Sequence, residues 1–287
     1  MTITKLQGGL GNQMFQYAMA FSCSERVYID FSFLQKNNKT NDTFTKRDFE
    51  LSLFPNLKYK DFTEFYRNFL FSNRGRYYYF RKLFSIKPNV VKQKENELVE
   101  FKKNKFLYLD GYFQSEKYFI KNRKELLHIF EFPALDYENQ TLKEQILQHP
   151  NSVSLHIRRG DYLKDEIKKY HGTLEQEYYD KAIETIKEKY SNAHFFVFSD
   201  DENFAIEQYS GLENFTIVKG NSENAWKDMA LMSYCKHHII ANSSFSWWGA
   251  WLSTYKDSIN IAPKKWFNPE VAQFNIDDFV PSHWIKI

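Results

Sequence analysis

Ser152-Val-Ser-Leu-His-Ile-Arg-Arg-Gly-Asp-Tyr162 decides how the rest of the chain is read. Ser152 to Ile157 is a short, largely apolar run that predicts a buried strand. His156 to Tyr162 then places two adjacent guanidinium groups, a glycine and a carboxylate at the strand's carboxyl end. Ligands bind outside the carboxyl ends of strands in open α/β sheets. Arg158 and Arg159 suit an anion held by paired hydrogen bonds, a diphosphate in particular. The competing reading is a surface Arg–Asp pair worth about 0–1 kcal/mol, which leaves the strand-end placement unexplained.

Downstream, strands and helices alternate. Leu174 to Tyr190, Asn203 to Tyr209 and Glu223 to Lys236 predict helices, and Asn242-Ser-Ser244 opens another. His194 to Phe198, Phe215 to Val218, His238 to Ala241 and Ser258 to Ala262 predict strands. Such alternation makes a parallel sheet. Upstream, Thr2 to Leu6 is a strand, Gly8-Gly-Leu-Gly11 a turn, and Asn12 caps a helix to about Ser22 before a second strand, Arg26 to Asp30. Residues 31–50 read as a long polar loop, and residues 56–104 are aromatic and basic without a clean period. Phe106 to Tyr112 is strand-like, Glu116 to Phe130 helix-like, and Pro133 to Pro150 a boundary with one short helix. The expectation is two domains, residues 1–145 and 146–287.

Composition narrows the function. The net charge of +3 is too small to imply nucleic acid or an anionic membrane, and Lys102-Lys103, Lys168-Lys169 and Lys264-Lys265 are pairs rather than a tract. Cys23 and Cys235 form neither a disulfide framework nor a metal-ligand spacing. His237 and His238 are adjacent and would point apart on a strand, which favours a structural role over a metal site. The start of the chain lacks an apolar signal core, and no segment has the ~18 continuous apolar residues of a membrane helix. A cytoplasmic protein is expected, so the sequons at Asn41 and Asn214 and the Arg159-Gly-Asp161 tripeptide carry no meaning.

Four loops fall at strand ends. Gly8-Gly-Leu-Gly-Asn-Gln13 lacks the third glycine of a dinucleotide fingerprint, where Met14 stands, and no acid occupies the ribose position. It brings backbone N–H groups toward a ligand, or is simply a tight turn needing positive φ. His156 to Tyr162 is the second loop. In Ser199-Asp200-Asp201 a carboxylate can accept from a ribose hydroxyl or a guanine edge, or cap the following helix. Asn242-Ser-Ser-Phe-Ser-Trp-Trp-Gly-Ala-Trp251 starts a helix whose free N–H groups and dipole favour a phosphate, with its tryptophans in the core.

Taken in order, these blocks resemble the α-1,2-fucosyltransferases of glycosyltransferase family 11, bacterial type. The matching stretches are Gly9 to Ala18, His156 to Tyr162, Phe198 to Asp201, Asp228 to Ser233, Ala241 to Trp251, Pro263 to Phe267 and Trp284. The resemblance implies a GT-B-like α/β fold with two Rossmann-like halves facing a cleft, the N-terminal half on the acceptor side. It implies GDP-β-L-fucose as donor, inversion to an α-linkage at O2 of a terminal β-galactose, and no metal or other cofactor. By the same resemblance Arg158 and Arg159 hold the diphosphate and His156 seats the nucleotide. Ser244, Phe245 and Ser246, with Asn242 before them, form the phosphate-binding helix start. Asp200 or Asp201 contacts guanine or ribose, and Gly11, Asn12 and Gln13 face the donor. Asp161 is the candidate base, or else it orients Arg158 or Tyr162. Nucleic acid is not an expected partner. A bacterial setting suggests O-antigen or capsule assembly, with peripheral contact at the inner membrane face if the acceptor is membrane-borne. Two rivals stand beside this reading: the same fold with another GDP-6-deoxyhexose or acceptor hydroxyl, and a non-catalytic nucleotide-sugar or glycan-binding protein. The second gives the paired arginines no leaving group to stabilise.

Overall fold

The computed structural model describes residues 1–287 except 38, 41–45, 95–96, 103, 161–168, 170–171, 269 and 272–276. The chain divides into two compact units. The first is Met1–Phe132 with a short C-terminal return ending at Phe279; the second starts at Pro133 and includes Val280–Ile287. The division falls ahead of residue 145 for a packing reason. The helix Tyr137–Gln148 places Ile146 in one apolar cluster with Phe196, Phe198 and Leu231 of the second unit.

The first unit is a five-stranded parallel sheet in the order β3-β2-β1-β5-β4. Its strands are β1 (Thr2–Lys5), β2 (Val27–Asp30), β3 (Lys60–Asp61), β4 (Asn89–Lys92) and β5 (Leu107–Asp110). Its helices are α1 (Leu10–Cys23), α2 (Ser32–Lys36), α3 (Glu64–Phe71), α4 (Arg76–Leu83) and α5 (Arg123–Ile129). Gly8 turns β1 into α1 at φ 78°, where a Cβ would meet Asn12 Nδ2 at 2.5 Å, so the tight-turn reading of this glycine holds. Buried Asp30 ends β2 and ties the unit together: it accepts from Tyr108 Oη at 2.6 Å and from Arg67 Nη2 at 2.7 Å. The stretch read as one helix from Glu116 is two 3₁₀ turns followed by α5. Fully buried Phe119 leaves the helical backbone between the turns, at φ −137°.

The second unit is a six-stranded parallel sheet in the order β11-β10-β9-β6-β7-β8. Its strands are β6 (Ser152–Ile157), β7 (His194–Ser199), β8 (Phe215–Ile217), β9 (His237–Ile239), β10 (Asn260–Ala262) and β11 (Ile285–Lys286). Its helices are α6 (Tyr137–Gln148), α7 (Gln176–Lys189), α8 (Glu202–Tyr209), α9 (Trp226–Tyr234) and α10 (Ser244–Leu252). Two parallel α/β units of this kind make the architecture GT-B-like.

Every residue of β6 is buried, which is why its sequence reads as a continuous strand. Alternation splits its two faces. Val153, Leu155 and Ile157 share a cluster with Tyr178, Ala182 and Ile186 of α7. Ser154 hydrogen-bonds His238 Nδ1 at 2.8 Å, and His156 lies 5.8 Å from the Phe245 ring. His237 takes the other face of β9, where its Nδ1 accepts from Ile259 N–H and its ring stacks on Tyr190. Each of the adjacent imidazoles thus bonds within the fold through its Nδ1. The chain leaves β6 toward β7 and β8, then returns to β9 on its other side. Strand order reverses at β6, so the arginines that follow it stand at a topological switch point.

Candidate functional site

One carboxylate meets all three residues that directly follow β6, Arg158 to Gly160. Asp200 Oδ2 pairs with Arg158 Nη1 at 2.8 Å, and Asp200 Oδ1 accepts the Arg159 backbone N–H at 2.8 Å. β6 and β7 are in register from Ser152↔His194 to Ile157↔Ser199, so the residues after each strand emerge side by side. The glycine follows from the same contact. A Cβ on Gly160 would stand 2.7 Å from Asp200 Oδ2. Arg159 lies over the Phe204 ring at 3.9 Å, with its Nε 3.5 Å from Asp201 Oδ2. Both arginines line a cavity of about 230 Å³ whose wall continues through Thr173, Leu174, Glu175, Gln176, Tyr179, Phe204 and Gln208. Sequence reading missed these wall residues, because helix starts at residues 176 and 202 carry no mark of facing a ligand.

Asp201 is the N-cap of α8 and accepts from the Phe204 N–H at 3.1 Å. The helix-cap reading of that carboxylate therefore holds. Asp200 meets the Arg158 guanidinium with one oxygen and the Arg159 N–H with the other. Asp161 and Tyr162 lie outside the described residues.

His156 is 4% exposed, and burial drives its pKa down to about 3 against the opposing pull of Asp200. The imidazole is neutral at ordinary pH, so the positive charge of the site rests on the arginines. Its Nδ1 is buried without a hydrogen-bond partner. An orphaned polar atom of this kind calls for a ligand or water.

Behind Phe245 lies the start of α10. The cap is Ser243, which accepts from the Phe245 N–H. Ser244 and Phe245 are half-buried, but Ser246 is 1% exposed and its hydroxyl bonds back to the Ser243 carbonyl. Of the predicted phosphate contacts, Ser246 is thus turned into its own helix turn. Asn242 is likewise buried, donating to the Trp266 and Gly172 carbonyls. Trp247, Trp248 and Trp251 are core.

In the first unit the glycine turn is packed against its own chain. Gln13 is fully buried; it donates to the Gly8 and Asp48 carbonyls and accepts the Glu50 N–H. Its amide straps residues 48–50 over the turn and does not face a ligand, a correction to the sequence expectation. Glu50 accepts the Leu10 N–H at the start of α1, and burial raises its pKa against the pull of Arg47. The α1 N-terminus is thus served by a carboxylate of the chain itself. Gly11 is buried beneath it, whereas partly exposed Asn12 accepts from Gln114 at 2.7 Å. On α9, Asp228 is tied to a reciprocal amide pair, Asn139 with Asn221, and burial pushes its pKa up to about 6.

Among the described residues no group of three or more His, Cys, Asp or Glu could hold a metal ion, and no helix is long and apolar enough to cross a membrane. The model of Glycosyl transferase family 11 matches residues 1–287. Alpha-1,2-colitosyltransferase of Escherichia coli is 35% identical over 305 residues, covering 99% of this chain and 98% of that protein. O-antigen biosynthesis glycosyltransferase WbnK, also of Escherichia coli, is 36% identical over 308 residues, covering 98% and 99%. Galactoside alpha-(1,2)-fucosyltransferase 1 of Rattus norvegicus is 28% identical over 141 residues, or 44% of this chain and 38% of that one. The match runs through both parallel sheets and every block around the arginine loop, and the chain is a glycosyltransferase that belongs to glycosyl transferase family 11.

Proposed function

We propose that the protein transfers L-fucose from GDP-β-L-fucose to O2 of a terminal β-galactoside, inverting at C1 and using no metal ion. The observation that carries this reading is the Arg158–Asp200–Arg159 clamp at the β6 switch point of a family 11 chain. Arg158 and Arg159 bind the diphosphate, with Asp200 setting their geometry. His156 offers its unpartnered Nδ1 to the bound nucleotide. Ser244 and Phe245 bring the first turn of α10 to the phosphates. When the C1–O bond breaks, negative charge gathers on the β-phosphate while the sugar becomes oxocarbenium-like. Preorganised cations and N–H dipoles aimed at that charge stabilise the transition state more than the ground state. The acceptor O2 attacks C1 from the face opposite the leaving group, and Asp161 takes its proton.

The identity to a colitosyltransferase across nearly the whole of both chains favours a second donor, GDP-colitose. Colitose is L-fucose without the C3 hydroxyl. A site that hydrogen-bonds that hydroxyl rejects colitose strongly, because its own polar groups are left unpaired. The test is competition between the two donors for lactose in EDTA, with the product linkage read by NMR. A 2′-fucosylated product dominating in EDTA supports the first reading. Preference for GDP-colitose moves the protein to the second, and activity that EDTA abolishes and Mn²⁺ restores refutes the metal-free step.

A further inference from the structure

We infer that the outward face of α4, with the cations around it, docks on a bilayer surface bearing anionic lipid headgroups. α4 is a helix that buries none of its residues. Tyr79, Phe80 and Leu83, with Phe84 at its C-cap, are 69%, 46%, 78% and 59% exposed. Their spacing of three and four residues draws one apolar stripe, which on a surface helix ordinarily faces the core. Here it faces solvent. The helix is held by the Arg81 guanidinium, which donates to the Leu70 and Ser72 carbonyls, and by the Tyr77 ring on Phe65 and Phe69, with the inner edge of Phe80 also against Phe69.

Charge says what covers the stripe. From Phe65 to Lys94 the chain carries eight Lys and Arg and no Asp or Glu. Arg74, Arg76, Lys82 and Lys87 around the stripe are exposed. The net charge of +3 conceals this segment, because acids elsewhere cancel it and aromatics interleave its bases. Aromatic and aliphatic side chains ringed by Lys and Arg match an anionic lipid interface, where rings enter the headgroup boundary and cations meet phosphates. A nucleic acid would take the charge but leave Leu83, the most exposed apolar side chain of the stripe, in water. The inference is independent of which sugar the donor carries.

The full chain is co-sedimented with vesicles of phosphatidylcholine alone and of phosphatidylcholine mixed with phosphatidylglycerol. Partition should be at least about tenfold higher on the mixed vesicles and fall with added salt. Lys82→Glu should lower it roughly 25-fold, since each surface cation contributes about fivefold and reversal applies that factor twice. Tyr79→Ser with Leu83→Ser should lower it too, while leaving the salt dependence in place. Both variants alter only exposed side chains, and unchanged thermal melting will show that they fold. No binding, equal binding to neutral vesicles, or variants that bind like the parent overturns the inference. So does a single-stranded homopolymer RNA whose binding is lost in Lys82→Glu but kept in the double serine variant.

Discussion

At the scale of single residues, the site depends on where one carboxylate can reach. Asp200 touches Arg158, the Arg159 N–H and the space above Gly160 at once. Removing the guanidinium should therefore act on the reaction rather than on the fold. Arg158→Ala is expected to lower kcat by roughly 10²–10³, the usual cost of losing one oxyanion-type donor. Its circular dichroism and melting should match the parent. Turnover within a few fold of the parent would remove Arg158 from the diphosphate role.

At the scale of elements, the close approach of α9 and α10 is set by Gly249. A Cβ there would stand 2.9 Å from Met232 Cβ, an atom fixed to the α9 backbone. In a free helix, Ala in place of Gly gains about 1 kcal/mol; between packed helices, an inserted methyl costs about 1–3 kcal/mol. Gly249→Ala should accordingly destabilise the protein by up to about 2 kcal/mol in urea unfolding. A stabilised variant would mean that the two helices separate freely. α4 makes the opposite point. The aromatic, basic run that holds it shows no clean period, and nothing local says whether its apolar side chains face the core or solvent. β3 and β11, two residues each, have no legible pattern at all.

At the scale of the whole molecule, buried histidines set the response to acid. Burial holds His156 and His238 down to about 3 and His237 to about 4. Unfolded, each takes up a proton near pH 6.5. The stability they lend is complete above that pH and is lost as pH falls toward their folded values. Asp228, raised to about 6, has the opposite sign: its contribution is present at low pH and lost as pH rises through about 6. With three histidines against one aspartate, Tm should drop by at least about 5 °C between pH 7 and pH 5. A flat or rising profile would show that these imidazoles reach protons without unfolding.

The family, the parallel α/β alternation and the arginine loop after β6 are legible in the chain alone, because a fully buried strand and a run of motifs are local signals. How the groups inside those motifs are spent is set by folding. Gln13 is strapped to residues 48–50, Asp201 caps α8, Ser246 closes its own turn, and Asp200 is drawn to a loop 41 positions earlier in the chain. The physical reason is the same in each case. A polar side chain bonds to whatever folding brings within about 3 Å, and a motif names the side chain without naming that partner.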